Sequence, residues 1–321
     1  MNQTDSRPPV PPFIAIVFGI IAVSTASVFI RYAQAYAPSL VIAAVRLSLA
    51  TLILAPAAIL SYRTELRRLN RRELGLGLLS GFFLALHFAS WITSLEYTTV
   101  ASSVVLVSTS PLWVALLAPL TIKEPLSRAT LIGMGLALLG GTVVGVSDSC
   151  ISTGSGIDCP SLGEFLAGDA FLGDLLALAG ALTGAGYLII GRRLRGKMSL
   201  VPYIFVVYGM AAVLLVFIMF GFGGSPLGYP PKVYLWFLLL AIVPQLMGHS
   251  TFNWALRYLS AAYVSVTLLG EPIGSTILAY AFLNETPTTL KIFGAILILA
   301  GIYIATRSEA ETQTLQTQPE L

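Results

Sequence analysis

Ionisable side chains are scarce in this chain, so the few that fall inside long apolar runs are the candidates for chemistry. Arg46, in VIAAVRLSL, places a guanidinium about a third of the way into one run. It could bind a carboxylate or phosphate, or it could snorkel outward or pair internally. Glu271, in LLGEPIGST, directly precedes Pro272. Proline removes a backbone donor and kinks a helix, which would expose carbonyls and let Glu271 face a cavity and carry a proton. The plainer alternative is a carboxylate tied to a neighbouring helix. His87 in LALHFASW and His249 in LMGHSTFNW sit in corresponding segments. Each could line a passage, since histidine titrates near neutral pH, or be a buried, hydrogen-bonded ring. Gln245, His249 and Asn253 recur at four-residue spacing, which places them on one face of an α-helix. A polar stripe of this kind should face a bundle interior or a cavity. Trp91, Trp113, Trp254 and Tyr263 could supply aromatic walls or interfacial anchors.

The elements that must hold these groups follow from composition. Of 321 residues, 56% are apolar and 10% charged, against about 25% charged in an average soluble chain. So few charges cannot coat a water-facing surface, which excludes a soluble globular enzyme. A net charge of +3 gives no broad basic face and excludes nucleic acid as a partner. A membrane-crossing helix needs roughly 20 mostly apolar residues, and ten candidates fit: 13–31, 39–60, 74–95, 99–121, 128–147, 170–191, 200–221, 233–255, 260–283 and 287–306. The alternating segments of a membrane β-barrel are absent. The expectation is an all-α polytopic membrane protein of ten transmembrane helices.

Ten spans put both termini on one side. With that side inside, fourteen of the eighteen basic residues fall on inner segments, while Arg31, Lys232 and Lys291 lie at outer ends and Arg46 within a span. Positive residues accumulate on the cytoplasmic side, so cytoplasmic termini and a cell (inner or plasma) membrane location are expected. Residues 1–12 read as a polar, Pro-rich cytoplasmic segment, 148–169 as an external loop, and 307–321 as a disordered cytoplasmic tail. The external loop is acidic and holds Cys150 and Cys159, which an oxidising compartment would let pair or which remain two thiols. Asp174 lies near the outer end of its span, where it could mark an entrance.

Sliding the chain against itself by 161 residues aligns 12 identities over positions 95–141 without a gap, including Tyr97 with Tyr258, Pro111 with Pro272, Glu124 with Glu285, Gly133 with Gly294 and Gly140 with Gly301. Earlier, Arg31 falls opposite Arg192. Five spans per half is odd, so the two halves (13–147 and 170–306) must enter the membrane from opposite sides. Inverted halves can rock to open a central site alternately to each side. Glu124 and Glu285 precede helices whose dipoles would stabilise them, and the glycines let helices approach closely. Pro111, Glu124, Gly133, Gly140, Pro272, Glu285, Gly294 and Gly301 therefore read as structural.

The segments PLWVALLAPLTIKEPLSRATLIGMGLALLG and EPIGSTILAYAFLNETPTTLKIFGAILILAG resemble the EamA type of the drug/metabolite transporter superfamily. The resemblance covers residues 13 to 306. It implies ten-helix carriers of two five-helix repeats, a cavity among helices one, three, four, six, eight and nine, and transport of small metabolites, often amino acids or related compounds. The leading expectation is thus a secondary transporter of a small-molecule metabolite across the plasma membrane by alternating access, with Arg46, His87, Trp91, Gln245, His249, Asn253 and Glu271 at the cavity and protons as a candidate coupling ion. A nucleotide-sugar or organic-phosphate exchanger of the same fold would want more cationic groups than Arg46 alone. An integral-membrane enzyme would show clustered His, Asp or Glu, and a non-transporting scaffold or receptor would need neither repeats nor a polar stripe. No nucleotide-binding loop or metal motif occurs, so no catalytic residue, metal or cofactor is expected. The partners expected are the lipid bilayer and the cargo, with a homodimer left open.

Overall fold

The computed structural model describes residues 10–122, 128–149, 151–153, 156–158, 161, 163–164, 167–259 and 261–317. Pro12 opens α1 (Pro12–Ser24), a position where proline's fixed φ suits the helix and its missing N–H would have had no partner. After an interruption at Thr25, α2 (Ala26–Gln34) continues the same path. Then come α3 (Ser39–Leu60) and the short α4 (Arg63–Arg68). Asn70 and Glu73 form a reciprocal capping box that starts α5 (Arg71–Tyr97). The next apolar run is broken at Ser108 and Thr109 into α6 (Val100–Val107) and α7 (Ser110–Ile122), and α8 (Arg128–Ser149) follows.

In the second half, α9 (Asp169–Arg195) ends on three arginines that suit its negative dipole end. It is followed by α10 (Leu200–Gly221) and α11 (Pro231–Leu240). A π-helical segment, Ala241–His249, leads into α12 (Ser250–Ala255). Pro244 lies inside that segment and cannot donate to the ladder. The turn there widens to i→i+5 bonding. The run after it is again broken, at Leu268 and Leu269, into α13 (Ala261–Thr267) and α14 (Gly270–Leu283). Asn284 ends α14 at a φ of 57°, a left-handed conformation that asparagine tolerates.

Among the described residues, seven helical stretches are long and apolar enough to cross a membrane: Ile14–Gln34, Ser39–Leu60, Arg71–Tyr97, Val100–Leu117, Asp169–Arg195, Leu200–Gly221 and Pro231–Ala255. Leu131–Gly141 and Thr289–Gly301 are shorter apolar helices. Large apolar side chains such as Ile132, Leu139, Phe217, Phe220, Ile277 and Tyr280 lie more than half exposed, while Arg46, Tyr203 and Tyr208 are wholly enclosed. That distribution suits a helical multi-pass protein whose outer surface meets lipid.

Two features add local structure to the sequence reading. Between α8 and α9 the stretch expected to be a loop carries an antiparallel hairpin, β1 (Ile151–Thr153) paired with β2 (Gly156–Asp158). The last helix, α15 (Thr289–Thr317), runs on past Arg307, where a disordered tail was expected. Residues 308–317 contain Ala, Glu, Gln and Leu with no Pro or Gly, a composition that sustains a helix once one has started. Glu124, Cys150 and Cys159 lie outside the described residues, so the expected disulfide does too.

Packing obeys the 161-residue shift. Helix α5 lies along α9, and its counterpart, the π segment, lies along α1; α9 meets α6 and α7 as α1 and α2 meet α14. Two further pairings, α3 with α10 and α8 with α15, map onto themselves. Individual hydrogen bonds repeat as well. Arg31 Nη1 donates to the Leu95 carbonyl, and Arg192 Nη1 to that of Leu256 (2.6 Å). Gln34 Nε2 donates to the Ile92 carbonyl (2.8 Å), and Arg195 Nε to that of Asn253 (2.9 Å). Where α8 crosses α15, a Cβ on Gly140 would stand 2.6 Å from the Gly294 carbonyl oxygen, and one on Gly301 would clash with that of Gly133. The shift exchanges these two contacts.

Candidate functional site

The two helix breaks meet at a cavity. Val107, Ser108, Ser110 and Pro111 line it from the first break, Ser265, Leu268 and Glu271 from the second, and α5, α9, the π segment and α12 contribute His87, Trp91, Gly184, Tyr187, Leu188, His249 and Phe252. Broken helices free backbone polar groups, and irregular backbone at membrane depth is tolerated where it is enclosed in protein or lines a cavity. The space admits water-sized spheres to about 60 Å³, enough for a few waters. Its mainly apolar lining includes serine hydroxyls, the Glu271 carboxyl and aromatic rings.

His87 is held firmly. Its Nδ1 lies 2.8 Å from the Gly180 carbonyl, and a carbonyl only accepts, so the proton sits on Nδ1. The ring stacks on Trp91 at 6.0 Å and 24°. Gly184 makes room for it, because a Cβ there would stand 3.0 Å from Nδ1. Glu271 lies in the first turn of α14 beside buried Pro272, where the helix dipole favours a carboxylate. Ser110 Oγ donates to the Val107 and Ala181 carbonyls, both at 3.0 Å, and ties the first break to α9.

Of the seven residues singled out in the sequence, His87, Trp91, His249 and Glu271 line this cavity. Arg46, Gln245 and Asn253 lie behind its wall, each no more than 1% exposed. The Gln245–His249–Asn253 stripe splits because two of the three residues lie in a π-helical turn, where a spacing of four no longer returns to the same face. Asn253 accepts from the Tyr187 hydroxyl (2.7 Å) and donates to the Tyr208 hydroxyl (3.3 Å), which also contacts Ser250 Oγ (3.3 Å). Gln245 Oε1 accepts from Arg46 Nε (2.9 Å).

Arg46 also rests over the Phe88 ring, 4.3 Å from its centroid. A desolvated cation–π contact of this kind contributes about 2 kcal/mol, and a charged hydrogen bond about 1.5–3 kcal/mol. Burying an ion costs several kcal/mol, a penalty of the same order as what these two contacts return. Among the described residues, Nη1 and Nη2 of Arg46 have no hydrogen-bond partner.

Sequence reading did not single out Tyr187, Ser108, Ser110, Ser265 or Phe252. The serines flanking the Pro111 break were the available signal, since broken helices in corresponding positions of two halves point to a transporter's site. Tyr187, alone in an apolar helix, carries no such mark. Trp113 and Trp254 are half-buried and do not line the cavity, and Trp254 packs on Tyr258 at 4.9 Å. Asp174 is buried near the start of α9. The side chain of Tyr263 lies outside the described residues.

A second cluster closes one end of the bundle. Arg31 Nη2 donates to the Thr98 carbonyl (3.1 Å) and pairs with Glu285 Oε1 (3.2 Å). Glu285 Oε2 accepts from the Val100 amide at 2.9 Å. The carboxylate thus sits at a helix N-terminus, but that of α6 rather than of the helix following it. Lys291 Nζ donates to Thr99 Oγ1 at 3.0 Å. At the opposite sequence counterpart, Arg192 borders a wide hollow with Thr121, Ile189, Arg193, Gly196 and Arg257.

A multi-pass helical membrane protein with an enclosed cavity at two helix breaks suits a carrier, and the comparisons agree. The model of the EamA-like transporter family matches twice, over residues 11–146 and 171–307. The chain belongs to that family and is a membrane transporter. An uncharacterized transporter of Archaeoglobus fulgidus is 26% identical over 91% of this chain and 95% of its own length. The uncharacterized transporter YdfC of Bacillus subtilis is 23% identical over 74% of this chain and 73% of its own. One solved crystal structure superposes with a TM-score of 0.64 at 17% identity, covering 94% of this chain and 98% of its own, a likeness of fold.

Proposed function

We propose that the protein is a secondary transporter of small organic metabolites, amino acids or related compounds among the candidates, working by alternating access across the plasma membrane. Its ten spans form two five-helix repeats inserted in opposite senses, with both termini cytoplasmic. The observation that carries the reading is the cavity at the paired breaks, Ser108–Thr109 and Leu268–Leu269, which stand 160 residues apart. The repeated hydrogen bonds of Arg31 and Arg192 and the exchanged glycine contacts support the two-fold relation.

In this reading the Arg31–Glu285 cluster is a closed outer gate. It joins the first span to the start of α6 and to the turn before α15, so the outer ends of three spans cannot part while it holds. The hollow at Arg192 is the inner approach. Glu271 is the proton carrier, placed on a helix that lines the cavity and flanked by a break that can bend.

Reconstitution into liposomes with a library of labelled metabolites, with and without a pH gradient, tests the function. Saturable flux of at least one compound without ATP is expected, and a proton gradient should raise its accumulation. Absence of flux for every compound in active, correctly folded preparations would contradict the proposal.

A further inference from the structure

We propose that Arg46 and Gln245 form an anion subsite that takes the carboxylate of a monocarboxylate cargo. The inference rests on reading the chain as a transporter with a central cavity, and it adds the chemistry that the cargo must carry. Arg46 is 0% exposed and its guanidinium has one hydrogen bond, from Nε to Gln245 Oε1. Among the described residues its Nη1 and Nη2 make none, and Gln245 Nε2 makes none of good geometry. All three atoms are donors. The Tyr208 hydroxyl, which Ser250 and Asn253 share, also interacts with the Gln245 amide. The polar groups around them, Tyr187, Asn253, Tyr208 and Ser250, are hydrogen-bonded, so the deficit is local and of one sign. An acceptor with two oxygens in a plane fits a guanidinium edge in a bidentate way.

The charge arithmetic selects the acceptor. The site offers one cation, with the Glu271 carboxyl within electrostatic range. With Glu271 carrying its proton, a monoanion is neutralised there, whereas a phosphate dianion leaves a net negative charge in a low-dielectric interior. The route is also visible. Phe88 carries the guanidinium on its face and packs against His87 at 4.9 Å and His249 at 5.3 Å, both of which line the cavity. In the proposal a displacement of that ring is what would join the subsite to the cavity. Trp91 Nε1, on the cavity wall, is a further donor without a partner.

The test is binding to the full-length protein in lipid nanodiscs, read as thermal stabilisation at fixed pH and ionic strength. The probes are sodium benzoate and sodium acetate, with benzamide as the uncharged isostere and sodium chloride as the simple anion. Saturable stabilisation by a carboxylate salt and none by benzamide is expected. Arg46→Gln should raise the apparent dissociation constant roughly 30-fold or more, the loss of a charge-assisted bidentate contact. Arg46→Lys keeps the charge without the fork and should fall between. Gln245→Leu leaves the cation in place and should weaken binding by a smaller factor, which covers the case of an unstable Arg46 variant. Equal binding by Arg46→Gln and the native protein, equal stabilisation by benzamide, saturation by chloride alone, or no stabilisation would each overturn the proposal. Metabolite flux that persists unchanged in Arg46→Gln would sink the subsite and leave the transporter standing. Arg46-dependent binding without any flux would do the reverse.

Discussion

At the scale of single residues, the cavity depends on groups whose positions are fixed by backbone partners. His87 has its Nδ1 committed to Gly180 and its ring against Trp91, so its free nitrogen is what it can offer a ligand. Gly184→Ala would put a methyl 3.0 Å from that ring and 3.3 Å from Ser110 Oγ. Overpacking of this kind costs about 1–3 kcal/mol. A lowered unfolding temperature together with reduced flux is the expected outcome, measured on one preparation. Glu271→Gln keeps the size and removes the titratable proton. Flux in this variant should be the same with and without a pH gradient, and a gradient response equal to that of the native protein would remove Glu271 from coupling. These chemistries were readable in the sequence as residue types in apolar runs. Their partition between cavity wall and interior was not, because it depends on the widened turn at Pro244, and a spacing argument assumes a regular α-helix.

At the scale of elements, the breaks and crossings do the positioning. Pro272 announced one interruption and the internal match sets Pro111 opposite it; helix breaks occur just before both, at Ser108–Thr109 and Leu268–Leu269. The glycine pairs announced close approach, and α8 and α15 meet through Gly140 and Gly294. Gly294→Leu forces that crossing apart against the backbone. The expected result is a loss of thermal stability of at least the 1–3 kcal/mol typical of overpacking, read in a detergent-melting assay, while a surface change such as Ile296→Leu on the same helix has little effect. Glu285 and Arg31 were separate marks in the sequence, 254 residues apart. Nothing in a linear pattern joins them, since the pairing is made by the fold. Both are about a quarter exposed, so the pair itself contributes about 1 kcal/mol or less. Glu285→Gln should then shift the population toward an outward-open form by up to roughly fivefold, seen as faster labelling of a cysteine introduced in the cavity by Ser108→Cys with a membrane-impermeant thiol reagent added outside. An unchanged labelling rate would show that the cluster is not a gate.

For the whole molecule, the pattern of hydropathy and the internal match were sufficient to foresee a helical membrane protein built twice from one plan. The helix pairings and hydrogen bonds that recur 161 residues apart extend that pattern into three dimensions. The cargo is less legible, because a cavity assembled from two serine-bearing breaks and several aromatic rings has no fixed spacing along the chain.

The measurement that bears most directly on alternating access is the sidedness of labelling at Ser108→Cys, a cavity position at the first break. The background carries Cys150→Ser and Cys159→Ser, and the membranes are right-side-out and inside-out vesicles. The account predicts modification by an impermeant reagent from both sides, slowed by a transported compound. Access from one side alone under every condition would contradict it.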